Sequence, residues 1–405
     1  MGFQQGLSGL NAASKNLEVI GNNVANSGTV GFKQSQAQFA DVYASSLTGA
    51  GSSPVGIGTK VSQVAQQFTQ GNITSSNNPL DIAINGGGFF RLSNNGTVSY
   101  SRNGQFQLDK SGYIVNSNGL RLTGYTANAN GVLSTGAPSD LFINTADLAP
   151  KVTSTVNAVL NLNSGDAVPT TTPFNIADPT SYNNATSVSV FDSLGNSHNV
   201  QTFYVKTASN TWDVYASGDG VAIGAPTVQG TLTFDSAGAL TSGSPLSIAV
   251  PVTTGAATPL TISVDFTGTT QFGSTFSVNS LKQDGYTSGK LNGFNTSSDG
   301  MIVGRYTNGQ SATLGQMVLA NFANPNGLQP LGNNVWSETA ASGAPLVGSP
   351  GSGPLGVLQS SATEDSNVDL TAELVNMITA QRNYQANAQT IKTMDQVMQT
   401  LVNLR

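Results

Sequence analysis

The sequence has no cysteine and a single histidine, His198. The first absence excludes disulfides and thiolate metal sites; the second excludes any metal centre that needs two imidazoles. Charge is scarce as well, at 9% of residues, with 15 Lys and Arg against 21 Asp and Glu for a net charge of −6. The basic residues are scattered singly, which argues against nucleic acid and anionic membrane surfaces as partners. No run approaches the ~18 apolar residues of a membrane span, so no membrane insertion is expected. The opening MGFQQGLSGLNAASKN has neither a basic n-region nor an apolar h-region, and a cleaved signal peptide is not expected.

Catalytic motifs are equally sparse. There is no G-x-S-x-G elbow and no EF-hand loop. His198 stands near Asp192 and Ser197, a hydrolase-like set by residue type, but DSLGNSHN reads as a solvated hairpin turn between two strands. The triple glycine of INGGGFFRL, residues 84–92, opens a strand rather than a helix, which points to close backbone contact and away from a phosphate loop. The sequence therefore predicts no catalytic residue, no metal and no cofactor.

What is present divides the chain into two ends and a middle. From Phe3, apolar residues recur at Leu7, Leu10, Leu17 and Val24, a heptad-like stripe interrupted by Ser14 and Gly21. The far end repeats the pattern more strongly, at Leu370, Leu374, Met377, Tyr384, Ala388, Ile391, Met398 and Val402, after a capping box expected from Ser366 to Asp369. Between these helices, segments such as VSVFD, QTFYVK, GTLTFD and LTISVDF alternate in polarity. Asn-Gly pairs beginning at Asn85, Asn95, Asn103, Asn118, Asn130, Asn292, Asn308 and Asn326 supply turn residues, as do Asp284 and Asp299 before glycine.

The expected fold is mainly β with α-helical termini: paired N- and C-terminal helices and two nested all-β domains, the outer inserted into the inner. In residue numbers, the helical domain takes 1–30 and 362–405, a connecting segment 31–80, the inner β-domain 81–147 and 285–361, and the outer β-domain 148–284. At 405 residues more than one core is expected. A lone pair of such helices buries too little apolar surface to offset the entropy of ordering it, so the ends need further partners, and other copies of the chain are the expected source.

The residues also carry a resemblance. GLSGLNAASKNLEVIGNNVANSGTVGFK at the start and NVDLTAELVNMITAQRNYQANAQTIKTMDQVMQTLVNLR at the end resemble the terminal motifs of the bacterial flagellar axial proteins, the family of rod, hook and hook-junction subunits. DIAINGGGFFRL is shared with the rod branch, whereas SVFDSLGNSHNV, GTLTFDSAGAL, VGRYTNGQ and LANFANPNGLQPLGNNVW resemble the hook branch.

The resemblance implies a non-enzymatic subunit that polymerises into a flexible helical tube, with the helices as its inner wall, transmitting motor torque to the filament. It implies as partners further copies of the chain, the rod, hook-cap and hook–filament junction proteins, and the flagellar type III export apparatus. It implies an extracellular location reached without a cleaved signal peptide. Phe39 and Tyr43 in FADVY resemble an export-gate element, with simple packing as the alternative. A distal rod or other axial protein is the alternative within the family. A secreted adhesin or β-rich enzyme fits less well, since neither explains matching helices at both ends.

Overall fold

A computed structural model describes residues 2–42, 56–128, 131–224 and 227–403. It is mainly β, with α1 (Gly2–Ala25) and α2 (Leu370–Asn403) at the termini. The chain forms two compact units. One comprises Met1–Asn144, Gly293–Gly304 and Ser311–Arg405; the other comprises Thr145–Asn292 and Arg305–Gln310.

In the first unit the central strand Phe89–Asn94 pairs with Thr97–Ser101 on one side and Arg121–Thr126 on the other. The loop between the first pair is Asn95–Gly96, both at positive φ (49° and 96°), the two-residue turn that Asn-Gly favours. The core beside these strands is aromatic. Phe89 packs edge-on to Phe68, Phe322 and Trp336, with centroids 5.4 to 5.9 Å apart. The triple glycine makes the close contact its sequence suggests: a Cβ on Gly86 would lie 2.9 Å from the Gly356 backbone, and one on Gly87 2.9 Å from the Pro354 carbonyl.

The second unit is a sandwich. One sheet is built on Thr155–Asn163, flanked by Leu260–Asp265, Thr270–Phe272 and Ser277–Gln283. The other runs Asn184–Phe191, Ser197–Ala208, Thr211–Gly218 and Gly230–Phe234, antiparallel throughout. The inward positions alternate as a half-buried strand requires: Trp212, Val214 and Ala216 from one sheet share a core with Leu160, Leu162, Ile248 and Ile262 from the other.

Two expectations are corrected here. The 192–198 turn exists, but it is not solvated around the histidine: Asp192 and His198 are buried, and only Ser197 of the three is exposed. The reason is a cover the local sequence does not reveal. Residues 254–257 close over the turn, with the Thr254 hydroxyl donating to Asp192 Oδ2 at 2.6 Å and the Ala257 N–H to Ser193 Oγ at 3.0 Å. The cap of α2 is also not a Ser366 box. Asp369 Oδ1 accepts from the N–H groups of Thr371 (2.9 Å) and Ala372 (3.1 Å), so Asp369 itself is the N-cap, while Ser366 Oγ accepts from Val368 N–H at 3.3 Å.

Candidate functional site

The terminal helices and the chain that roots them form the candidate site. The turn after α1 is closed by Asn26, whose N–H bonds the Asn22 carbonyl at 3.1 Å and whose carbonyl accepts from Thr29. Asn23, buried, donates through Nδ2 to the Ser35 carbonyl (2.8 Å) and accepts at Oδ1 from the Ser35 N–H (2.9 Å), so its amide pairs with Ser35 as a neighbouring strand would. Gly31 has φ +72°, and a Cβ there would lie 2.7 Å from the Asn103 nitrogen, so glycine is required twice over.

Lys33 then enters the interior. Its ammonium is fully buried and donates to Glu364 Oε1 and to the Thr69 carbonyl, both at 2.7 Å. Arg102, also buried, brings its Nε to 3.6 Å from Glu364 Oε2. Burial pulls the Lys33 ammonium below its ordinary pKa, against the opposing pull of Glu364. This cluster joins the end of the turn after α1, the β-body and the strand leading to α2. Beside it, Asn367 accepts from the Gln34 N–H at 2.7 Å and donates to the Gln67 carbonyl at 2.8 Å.

From these roots the helices run antiparallel. A Cβ on Gly6 would lie 3.0 Å from Ile391, one on Gly9 would lie 2.6 Å from Asn387 Oδ1, and Asn23 reaches Glu373 Oε2 at 3.5 Å. The seam within the chain is thus rich in small and amide residues, with Ile391 packed on Gly6. Gly6, Ala12, Ala13, Val19, Ile20 and Asn23 are buried on α1, and Glu373 and Ala380 on α2. The hairpin Ser35–Val42 with Gly58–Gln66 lies beside α1, tied to it by the Thr59 N–H bond to Ser8 Oγ (3.2 Å). Grooves of about 390 and 410 Å³ between the helices and the hairpin are lined mainly by Ala, Asn and Gln side chains, and their one ionisable group, Glu373, is engaged by Gln34 at 2.6 Å.

The residues of the predicted stripes are distributed over this geometry. On α1, Phe3 and Leu7 are exposed, and Leu10, Leu17 and Val24 are half-buried. On α2, Met377, Ala388 and Ile391 are half-buried, with Ile391 against Gly6. Leu370, Leu374, Tyr384, Met398 and Val402 are exposed, as are Val375, Ile378 and Val397. By the antiparallel register, α2 overhangs the start of α1, and Val397, Met398 and Val402 lie on the overhang. Phe39 sits at a bulge in the hairpin and is exposed; Tyr43 lies outside the described residues.

The small-residue seam is what sequence reading missed. Its trace was available: Gly6, Gly9, Ala13, Asn16, Ile20 and Asn23 recur at alternating steps of three and four, a second heptad beside the apolar one. Among the described residues no helix is long and apolar enough to cross a membrane, and no cluster of three or more metal-ligating side chains occurs.

Four family models match. The Flagella basal body rod protein model covers residues 3–33, the Flagellar hook protein FlgE/F/G D1 domain 83–190, the Flagellar basal body protein FlaE D2 domain 161–286, and the Flagellar basal body rod FlgEFG protein C-terminal model 359–404. The chain is 48% identical to the flagellar hook protein FlgE of Salmonella typhimurium and 47% identical to that of Escherichia coli, over 100% of each chain. It is 33% identical to that of Borreliella burgdorferi, over 99% of this chain and 98% of the other. The crystal structure of Helicobacter pylori flagellar hook protein FlgE2 has the same fold, with a TM-score of 0.54 at 15% identity over 71% of this chain and 99% of that one. With full-length identity of this order, the chain belongs to the family of flagellar hook proteins, a structural family and not one of enzymes.

Proposed function

We propose that this chain is the repeating subunit of a flagellar hook, and that it assembles through the outward faces of α1 and α2 into a flexible helical tube that carries torque from rod to filament. One observation supports this above the others. The helices meet largely through glycine, alanine and amides and leave larger apolar side chains, among them Phe3, Leu7, Leu374, Val375 and Ile378, on the outside, and Met398 is exposed on the α2 overhang. Large apolar side chains exposed together on a monomer mark a contact surface. Two different helices offering two different faces suit a head-to-tail contact, and a head-to-tail contact that does not close builds a helix of subunits.

Electron microscopy of the purified chain tests the reading. Wild type should form tubes. Met398→Asp places a carboxylate on the α2 overhang, where it is wet in the monomer and buried without a partner in the tube, at a cost of several kcal/mol. The variant should stay folded and fail to assemble; tubes of normal yield from Met398→Asp would count against the proposal.

The finer terms of the reading follow the family. The helical termini, residues 1–30 and 362–405, serve as the inner wall, residues 31–80 as the connection, and residues 81–147 with 285–361 and residues 148–284 as the two β-domains. Rod, hook-cap and junction proteins are the end partners, and export proceeds through the flagellar type III apparatus. Phe39 is the candidate contact with that apparatus, supported by its exposure at the hairpin bulge. Phe39→Ala should lower secretion several-fold with the β-units intact, and undiminished secretion would reduce Phe39 to a wall of the groove beside Asn16 and Asn383.

A further inference from the structure

The single histidine takes no part in the surface just described. His198 lies at the start of the Ser197–Ala208 strand and is 4% exposed. Its Nδ1 is 2.7 Å from Asp219 Oδ2, in the two-residue turn between Thr211–Gly218 and Val221–Ile223. Its Nε2 is 3.1 Å from Asp192 Oδ2, in the turn before the strand. The ring therefore spans two carboxylates on two different hairpins. A neutral imidazole has one N–H and one lone pair, so in either tautomer one of these contacts would set a lone pair against a carboxylate oxygen.

Neither carboxylate is placed to supply the missing proton. Asp192 Oδ1 accepts the N–H groups of Leu194 and Asn196, both at 2.9 Å. Its Oδ2 accepts Asn196 Nδ2 (3.0 Å) and the Thr254 hydroxyl (2.6 Å) besides the ring. Asp219 Oδ1 accepts the Asn199 N–H at 2.8 Å, and the side chain is half open to water, which favours its ionised form. Among the described residues the ionisable groups facing the ring are these two, from the turn before its strand and from the 219–220 turn; the loop 251–258 contributes the Thr254 hydroxyl and no charged side chain.

We propose that His198 is held as an imidazolium and acts as a pH-operated clamp. It ties the turn 192–196, which Thr254 and Ser193 hold under the loop 251–258, to the turn 219–220, and it lets go of the 219–220 turn when the ring loses its proton in alkaline medium. The titration directions agree. Burial pulls the imidazole pKa down, but the hydrogen bonds and charges of Asp219 and Asp192 outweigh it, and the net shift is upward from 6.5. Burial alone would raise Asp192, yet the Thr254, Asn196 and His198 bonds hold it well below the ordinary carboxylate range, and the His198 bond likewise lowers Asp219.

A raised histidine contributes stability that is complete below its unfolded value and fades as pH climbs through the folded one; the lowered carboxylates contribute stability that fades only as pH falls through theirs. The clamp is thus fully set between about pH 4 and about pH 6.5 and loosens on the alkaline side of that window. Leu194 lies on one of the joined turns and Val221 directly follows the other, and both are exposed, so release uncouples one apolar tip from the other.

Because the chain has one histidine, ¹⁵N-imidazole NMR of the monomeric full-length protein reads the site without assignment. At neutral pH both ring nitrogens should carry protons, and the ring should titrate above the ordinary histidine value. In Asp219→Asn, which keeps the shape of a half-exposed side chain, the midpoint should fall and a single N–H, on Nε2 toward Asp192, should remain at neutral pH. Amide exchange in 219–222 should quicken on alkalinisation more than in 192–196 or in the strands of the same sandwich. A neutral single-N–H ring at neutral pH in wild type, or a midpoint at or below the ordinary value, would overturn the proposal, as would an unchanged midpoint in Asp219→Asn.

Discussion

Lys33 and Glu364 stand 331 positions apart and share one fully buried ion pair. Breaking such a pair leaves a charge in the interior with its desolvation cost uncompensated. Lys33→Met should therefore destabilise the unit by about 3 kcal/mol, the lower end of the usual range because Arg102 still approaches Glu364. Urea unfolding of the monomer should show a lowered midpoint, and adding Glu364→Gln to Lys33→Met should recover part of the loss. The Lys of the GFK motif was plain in the sequence, but its burial was not, since lysine is normally exposed and its partner lies at the other end of the chain. The same holds for His198. Asp192 was visible beside it, but its second partner, Asp219, lies 21 positions away on another turn.

For the helices, periodicity was enough to place the elements and not enough to orient them. The apolar stripe and the small-residue heptad lie side by side on α1, and hydrophobicity alone ranks the first as the seam. Volume decides otherwise: with glycine at positions 6 and 9 the two backbones approach closely, and Phe3 and Leu7 are left outside. Gly9→Leu follows directly. Its Cβ would meet Asn387 Oδ1 at 2.6 Å, so the Asn387 amide must leave the seam and the leucine body must be fitted between α1 and α2, which loosens the pair. Hydrogen exchange should accelerate across residues 2–25 and 370–403 and stay unchanged in the strands around Phe89–Asn94. Equal protection of both helices in wild type and variant would show that the seam lies elsewhere. The strands were legible from alternation, and the Asn95–Gly96 hairpin from its turn pair. Pairings such as Phe89–Asn94 with Leu319–Asn321 were not, because nothing local encodes a partner more than two hundred residues away.

In the molecule as a whole, β-structure with helices at both ends, the family and the absence of an enzymatic role were all within reach of the residues. The arrangement of the described strands into a thirteen-stranded sheet and a two-sheet sandwich was not. The central claim is that the apolar side chains left outside by the helix seam are the contacts that build the tube. Helical reconstruction of the assembled protein by electron cryomicroscopy tests it most directly. The account predicts α1 and α2 at the inner wall, with Leu7, Leu374, Val375, Ile378 and Met398, all exposed in the monomer, buried against neighbouring subunits. Tubes in which those side chains stay open to the lumen, with subunits held together by the β-units alone, would contradict it.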